Sequence, residues 1–488
     1  MIGVTSFGSY IPRLRLSRKA IAESNGWMEP SLLSMGKGER SMCNWDEDAV
    51  TMAVEAARDC LAGIERSSVE GLYLASTSLP FLDRQNAGIV AAALNLPENL
   101  FTLDITSSQK AGTSGLFAAL RATGGDAPGG TLFIASDKRR TKSACPQEML
   151  FGDGAAALLV GTRDVIAEFK GGHSVSVDFV DHYRGRDGAF DYAWEERWVR
   201  EEGFLKIVPR AVAAALERTG VRAGEIDHFV MPCTSPGVTA GVAAKVGIRP
   251  ETVRDTLHQA CGETGTAHPI VMFVDALQDA GPGEKILVVG FGQGCDALLF
   301  ETTSALLKLP KRRGTKGSLA RRMEERNYMK YLSFNRLVVQ ERGIRAENNP
   351  QTALTALYRN RRMLLGLVGG YCEACDTPQF PKSEVCVNPA CHAVSTQRDH
   401  EFSDEPGSVL SWSADALAYT ADPPAHYGMV QFQRGGRFMA DFTDCDVGGV
   451  AVGMPVRMAF RIRGVDEARG MVRYFWKAAP VKGPKEEA

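Results

Sequence analysis

The sequence predicts an α/β protein built in layers, followed by a small metal knuckle and a closed β-barrel. Three observations carry that reading. Apolar strand-like runs alternate with small-residue helical runs through residues 1–165, as in a sheet covered by helices. Four cysteines then form two pairs, Cys372 with Cys375 and Cys386 with Cys391, on spacings that suit a tetrahedral zinc ion. Beyond them come short alternating runs separated by turns, which read as half-buried strands.

The totals set the scale. A chain of 488 residues with 44% apolar content has room for roughly three domains with full cores. The formal charge of -2 is no reason to expect a nucleic-acid or membrane partner. No apolar run is long enough to cross a bilayer, and Met1-Ile2-Gly3-Val4 opens like a strand, without the basic-then-apolar pattern of an export signal. Eleven cysteines, four of them at metal spacing, fit a reducing compartment, so the expected location is the cytoplasm.

Taken in order, residues 1–165 form the first segment. Asp46-Glu47-Asp48 stands where a helix N-terminus favours negative charge, and Ala49 to Ala57 is rich in helix formers. Leu72 to Ser76 and Leu132 to Ser136 read as buried strands, and Gly152-Asp153-Gly154 turns into another. Between them, Leu100 to Ile105 feeds through Ser107-Ser108-Gln109-Lys110 into the small-residue helix that begins Ala111-Gly112-Thr113. A strand entering a helix directly aims free backbone N–H groups at the turn, and these stabilise an anion or a developing oxyanion.

Residues 166–305 form the second segment and close on the glycine loop Gly290-Phe291-Gly292-Gln293-Gly294, where a backbone can pass near a ligand. Residues 306–349 form a basic connector, in which Tyr328, Tyr331 and Phe334 recur at helical spacing and predict an amphipathic helix. Residues 350–400 hold a helix and the four-cysteine ribbon; four thiolates leave zinc no open position, so the site is structural. Residues 401–488 read as a small barrel of the OB-fold type, with strands at 407–412, 429–432, 438–442 and 454–462. OB-folds can bind nucleic acid, but no aromatic-basic stripe of the needed kind is present.

The ordered motifs resemble a known family. Glu39-Arg40, the turn Ser108-Gln109-Lys110-Ala111-Gly112-Thr113 and Gly152-Asp153-Gly154-Ala155-Ala156-Ala157 are similar to the hydroxymethylglutaryl-CoA synthases of the thiolase superfamily, whose turn reads Ala-Cys-Lys-Ala-Gly-Thr. Asp181-His182-Tyr183-Arg184 resembles that family's Asp-Phe-Trp-Arg, and Glu202-Gly203-Phe204-Leu205-Lys206 resembles the segment that ends in a CoA-contacting lysine, which makes Lys206 a candidate for a CoA phosphate contact, against the alternative of a solvated helix lysine. The C-terminal unit is similar to the zinc-ribbon/OB proteins that accompany such enzymes. The resemblance implies a thiolase-like αβαβα core, a rubredoxin-like zinc ribbon and an OB-fold barrel. It also implies coenzyme A as part of the substrate, a homodimer and, through the C-terminal unit, a thiolase partner.

The family's catalytic set is not carried over. Its acyl-carrying cysteine falls on Gln109, its glutamate base on Thr77, its histidine on Cys233, and its Gly-Asn-Thr on Gly262-Glu263-Thr264. Glutamine offers no nucleophile, though its amide can donate a hydrogen bond to a thioester or enolate oxygen. Replacement chemistry is expected in the turn Cys261-Gly262-Glu263-Thr264-Gly265-Thr266-Ala267-His268, where Glu263 or His268 can act as acid or base. Cys233 and Cys261 are candidate displaced nucleophiles, against the alternative of inert packing. The resemblance with these substitutions implies an acyl-CoA-dependent enzyme that makes or breaks carbon–carbon bonds non-covalently, by retro-aldol cleavage or decarboxylation. Two alternatives stay open: a non-catalytic scaffold for a thiolase, and an acyltransferase using a displaced cysteine.

Overall fold

The computed structural model describes residues 1–123, 129–347, 351, 353–446 and 448–481. The segment boundary expected at 349/350 and the tail beyond 481 lie outside the described residues. The chain divides into two compact units. The first holds Met1–Cys43, Asp48–Val90 and Leu96–Leu337; the second holds the described part of Val338–Ala488 with Asn44–Glu47 and Ala91–Asn95.

The first unit is built on a nine-stranded mixed sheet. In space its strands run His228–Val230, Lys285–Phe291, Gly294–Thr302, Ala167–Ser176, Gly3–Tyr10, Gly154–Gly161, Gly130–Asp137, Val69–Ala75 and Phe101–Ile105. Two halves of one topology meet in the middle, where Gly3 and Val4 pair antiparallel with Glu168 and Ala167. In the first half Val69–Ala75 runs parallel to both its neighbours, and Gly154–Gly161 runs antiparallel to Gly130–Asp137. The second half repeats this with His228–Val230 parallel to Lys285–Phe291, and Gly294–Thr302 antiparallel to it. Its edge strand is reduced to a single parallel bridge, Phe229 to Val253. Helices fall at matching places: Ala49–Cys60, Asn86–Ala93 and Ala111–Ala122 in one half, Val208–Thr219, Val238–Val246 and His268–Leu277 in the other.

Side-chain alternation turns this into five layers. Val288 faces a core shared by Leu116, Leu120, Ile270 and Phe273 on the two central helices, with Phe133 and Leu158 from the first half of the sheet. Its neighbours along the strand, Leu287 and Val289, point the other way, onto Val208, Val212 and Val242. Helix Ala49–Cys60 covers the outer face of the first half. Asp48 caps it, accepting from Thr51 N at 2.9 Å while Thr51 Oγ1 accepts from Asp48 N at 2.8 Å. Only this residue of the acidic triplet is the cap. The aromatic spacing near 330 does form a helix, Tyr328–Phe334, with Tyr328, Tyr331 and Phe334 buried.

In the second unit, Val368–Cys372 pairs with Pro378–Gln379 and Gln397–Glu401 to carry the cysteines. A five-stranded antiparallel sheet follows, in the order Arg437–Asp441, Ala425–Phe432, Gly407–Asp415, Pro455–Asp466, Met471–Pro480. The last strand adds one beyond those read from the sequence. A bridge from Phe442 to Ala478, with Thr443 N donating to Ala478 O at 2.9 Å, brings the first and last strands together and closes the barrel. Phe432, Phe460 and Trp476 fill it. Fully buried Arg461 is held by Glu47 and Asp444 at 3.1 Å each, so Glu47 serves this pair and not a helix end. Among the described residues no helix is long and apolar enough to cross a membrane.

Candidate active site

The turn expected at Gln109 joins strand Phe101–Ile105 to helix Ala111–Ala122. Ser107 holds a left-handed φ of 73°, a strained conformation for a side chain larger than glycine's. The residues that follow it are packed on both sides. A Cβ on Gly112 would lie 2.0 Å from Thr266 O, so helix Ala111–Ala122 meets the Gly265–Ala267 turn, which leads into helix His268–Leu277, backbone to backbone. A Cβ on Gly292 would lie 2.8 Å from Lys110 N, and Ser108 Oγ donates to Gly292 O at 2.8 Å. The glycine loop therefore clamps the turn. Below it, buried Asp296 accepts from Lys110 Nζ at 3.2 Å, Thr113 Oγ1 at 3.0 Å and Ser114 Oγ at 2.5 Å.

Around Gln109 the side chains form one polar array. Its Nε2 lies 3.5 Å from Thr77 Oγ1 and 3.4 Å from His182 Nε2. His182 Nδ1 lies 2.8 Å from Asp181 Oδ2. Gln109 Oε1 and Asp181 Oδ1 are buried without a hydrogen-bond partner. Asp137, at the carboxyl end of strand Gly130–Asp137 and fully buried, organises the loop after Val69–Ala75. Its Oδ1 accepts from Ser76 Oγ, Thr77 N and Ser78 Oγ at 3.0, 2.8 and 2.7 Å. Its Oδ2 accepts from Thr77 Oγ1 at 3.1 Å and Thr266 N at 2.9 Å. A buried carboxyl with this many donors fixes Thr77 beside Gln109.

Glu263 is tied to the same region through Arg139, which donates to it at 3.1 Å and to Asp191 at 3.0 Å. Carboxyl groups on both sides hold the buried Arg139 guanidinium's pKa above its ordinary value, although burial, the largest influence, acts to lower it. Asp191 also accepts from Arg184 at 2.7 Å, and Arg184 donates to Thr77 O. These ion pairs pin the short hairpin of His182–Tyr183 and Tyr192–Ala193 to the Thr77 loop.

His268 is fully buried, with both ring nitrogens engaged: Nδ1 accepts from Thr264 N at 3.0 Å and Nε2 lies 2.7 Å from Thr256 O. Burial lowers its pKa. Cys233 and Cys261 are buried, and desolvation pushes each thiol up to about 12. Lys206 is exposed and pairs with Glu202 at 2.7 Å one helical turn away.

The four cysteines of the second unit cluster. Sγ atoms of Cys372, Cys375, Cys386 and Cys391 all lie within 4.8 Å of one another, with Cys372–Cys391 at 4.0 Å and Cys375–Cys386 at 3.5 Å. A tetrahedral ion with bonds of about 2.3 Å sets its sulfurs about 3.8 Å apart, so the donor set fits zinc. Thr396 and Thr377 hydroxyls sit 3.2 Å from Cys372 and Cys375 Sγ, and Asn388 N donates to Cys386 Sγ at 3.4 Å, an outer shell that orients the ligands.

Three participants escape a reading of the sequence. Asp137 follows an apolar run read as a strand, and the carboxyl end of a parallel strand is where α/β sites form. Arg139 lies two residues further on. His182 replaces the aromatic of the family's Asp-Phe-Trp-Arg, and that departure was its signal.

Known proteins share this fold. A family described as 3-oxoacyl-[acyl-carrier-protein] synthase III C terminal matches residues 216–301. The ChsH2 rubredoxin-like zinc ribbon domain matches residues 364–394, and the ChsH2 C-terminal OB-fold domain matches residues 400–461. Hydroxymethylglutaryl-CoA synthase of Methanopyrus kandleri is 29% identical over 344 residues, covering 69% of this chain and 97% of that protein. A crystal structure of HMG-CoA synthase complexed with CoA superposes with a TM-score of 0.60 at 17% identity, covering 72% of this chain and 95% of the other. MvaS in complex with 3-hydroxy-3-methylglutaryl coenzyme A gives 0.57 at 18% identity, over 68% and 91%. The repeated five-layer core is thus similar to the hydroxymethylglutaryl-CoA synthases of the thiolase superfamily, and the cysteine-bearing C-terminal unit to the ChsH2 zinc ribbon and OB-fold.

Proposed function

We propose that the chain is an acyl-CoA-dependent enzyme that makes or breaks a carbon–carbon bond without a covalent acyl-enzyme. The observation that carries this is Gln109, seated at the clamped turn with its amide against Thr77 and His182. An amide held there can donate to the oxygen of a thioester or of the enolate derived from it, where charge develops in aldol, retro-aldol and decarboxylation chemistry. The relatives' printed names, a synthase of a CoA ester and structures with CoA or its hydroxymethylglutaryl ester bound, support a CoA thioester as substrate. In this reading Thr77 positions the amide, and Glu263 acts through Arg139. His268 and Cys233 hold the surrounding backbone, since the one has no free nitrogen and the other an un-ionised thiol. Lys206 would leave Glu202 to meet a CoA phosphate. Zinc, held by the four cysteines, would supply no chemistry beyond stabilising the second unit.

The test is direct. The purified chain, incubated with a panel of 3-hydroxyacyl- and 2-carboxyacyl-CoA esters, should yield shortened acyl-CoA by liquid chromatography and mass spectrometry, with no added acyl mass on the protein. An acyl adduct that turns over would replace this reading with acyl transfer through a cysteine. A second reading, a non-catalytic scaffold for a thiolase, is favoured by the ChsH2-type C-terminal unit. It is opposed by the investment of polar groups around Asp137, which a surface with only a scaffolding role has no need to keep. If the scaffold reading holds, Gln109→Ala leaves a co-purified thiolase's activity untouched.

A further inference from the structure

We infer that His182, oriented by Asp181, is the acid–base residue of this site, and that its reaction is aldol-type cleavage or formation of a 3-hydroxyacyl thioester. The inference rests on the carbon–carbon reading above and narrows it. His182 Nδ1 sits 2.8 Å from Asp181 Oδ2, so a proton on Nδ1 is donated to the carboxyl group and the Nε2 lone pair is left facing Gln109. The contact to Gln109 Nε2 is long, 3.4 Å, and leaves that lone pair open to a stronger donor. That open lone pair calls for a ligand that brings a donor. A 3-hydroxyl group is such a donor; the carboxylate of a decarboxylation substrate has none to give and would meet the lone pair head on. Decarboxylation also needs no base to break its bond.

The step balances without a further reactant. His182 Nε2 takes the proton of the 3-hydroxyl, whose O–H electron pair becomes the new carbonyl bond. The bond between C2 and C3 breaks, and its pair passes to C2 as the thioester enolate. The ketone or aldehyde leaves, and Nε2–H returns the same proton to C2, giving the shortened acyl-CoA. Run backwards, the same groups perform the aldol addition. Asp181 touches no substrate; it is a positioning residue that fixes the imidazole tautomer.

The experiment follows the returning proton. With acetyl-CoA and propionyl-CoA in D₂O, the full-length chain should incorporate deuterium at C2, read by mass spectrometry. His182→Gln keeps a hydrogen-bonding side chain without a titrating nitrogen, and should slow exchange on the order of a hundredfold or more. Exchange by His182→Ala should recover with added imidazole, and Asp181→Asn should slow exchange by a smaller factor. CoA affinity by calorimetry and the far-ultraviolet circular dichroism should match the natural chain in each, which separates chemistry from misfolding. Exchange at the natural rate in His182→Gln, alongside its loss in Gln109→Ala, overturns this inference alone. Failure of imidazole to restore folded, CoA-binding His182→Ala makes the residue structural and also overturns it. A natural chain that binds CoA yet neither exchanges nor cleaves overturns both this inference and the reading beneath it.

Discussion

Gln109 stands at the N-terminal end of a twelve-residue helix, in a field that favours negative charge. A thiol placed there ionises more readily. Gln109→Cys is therefore expected to take an acyl group from short acyl-CoAs, visible as added protein mass, while the natural chain stays unmodified. It should not become a full synthase, because Thr77 is no base. Gln109→Ala should slow turnover on the order of a hundredfold through loss of one oxyanion donor; an unchanged rate would remove the amide from the mechanism. The remaining thiols near the site carry a pH signature. With burial pushing Cys233 and Cys261 up to about 12, about one thiol in ten thousand is ionised at pH 8. Iodoacetamide at that pH should leave both unlabelled in the folded protein and label them once it is denatured. Rapid labelling of either in the native state would reopen the displaced-nucleophile route.

At the scale of elements, the turn depends on its clamp. Gly292→Ala drives a methyl group into the backbone at Lys110, where no flexible side chain can give way. We expect a loss of about 1–3 kcal/mol from overpacking, measured by denaturant unfolding, together with reduced turnover as Gln109 shifts. A variant as stable and active as the natural chain would show that the loop yields freely. The cysteine ribbon makes a separate prediction. Chelation should remove one zinc per chain and loosen the second unit while the nine-stranded unit stays folded, since metal and folding are coupled where the ligands are. Proteolysis confined to residues beyond about 340 would show it; protein prepared without chelator and found to contain no zinc would refute it.

At the scale of the molecule, no strand among the described residues pairs beyond one end of the sheet. Phe101–Ile105 is the last strand, with Phe101 60% and Leu103 37% exposed. An exposed edge bearing large apolar side chains is a pairing surface unless something covers it. We propose that a second copy does, which would set two Gln109 turns near one interface. Light scattering should report a dimer at micromolar concentration, and Leu103→Lys should shift it to monomer; a monomeric natural chain would rule the pairing out.

Much of this protein follows from local sequence. Strand and helix periods, the glycine turns and the cysteine spacing each depend on neighbours within a dozen residues, so the layered core, the ribbon and the barrel could be read directly, as could the Gln109 turn. The second half, residues 166–305, was legible only through the resemblance of its motifs to a known family. The site's working partners were not. Asp137 meets Thr77 and Thr266, and His182 meets Gln109, across separations of 60 to 129 residues. The same holds for Glu263, a candidate base in the sequence that the fold commits to Arg139, and for His268, whose two nitrogens the fold occupies with backbone. A side chain's chemistry depends on which groups reach it and which water is excluded, and sheet pairing and helix packing settle both only when the chain has closed on itself.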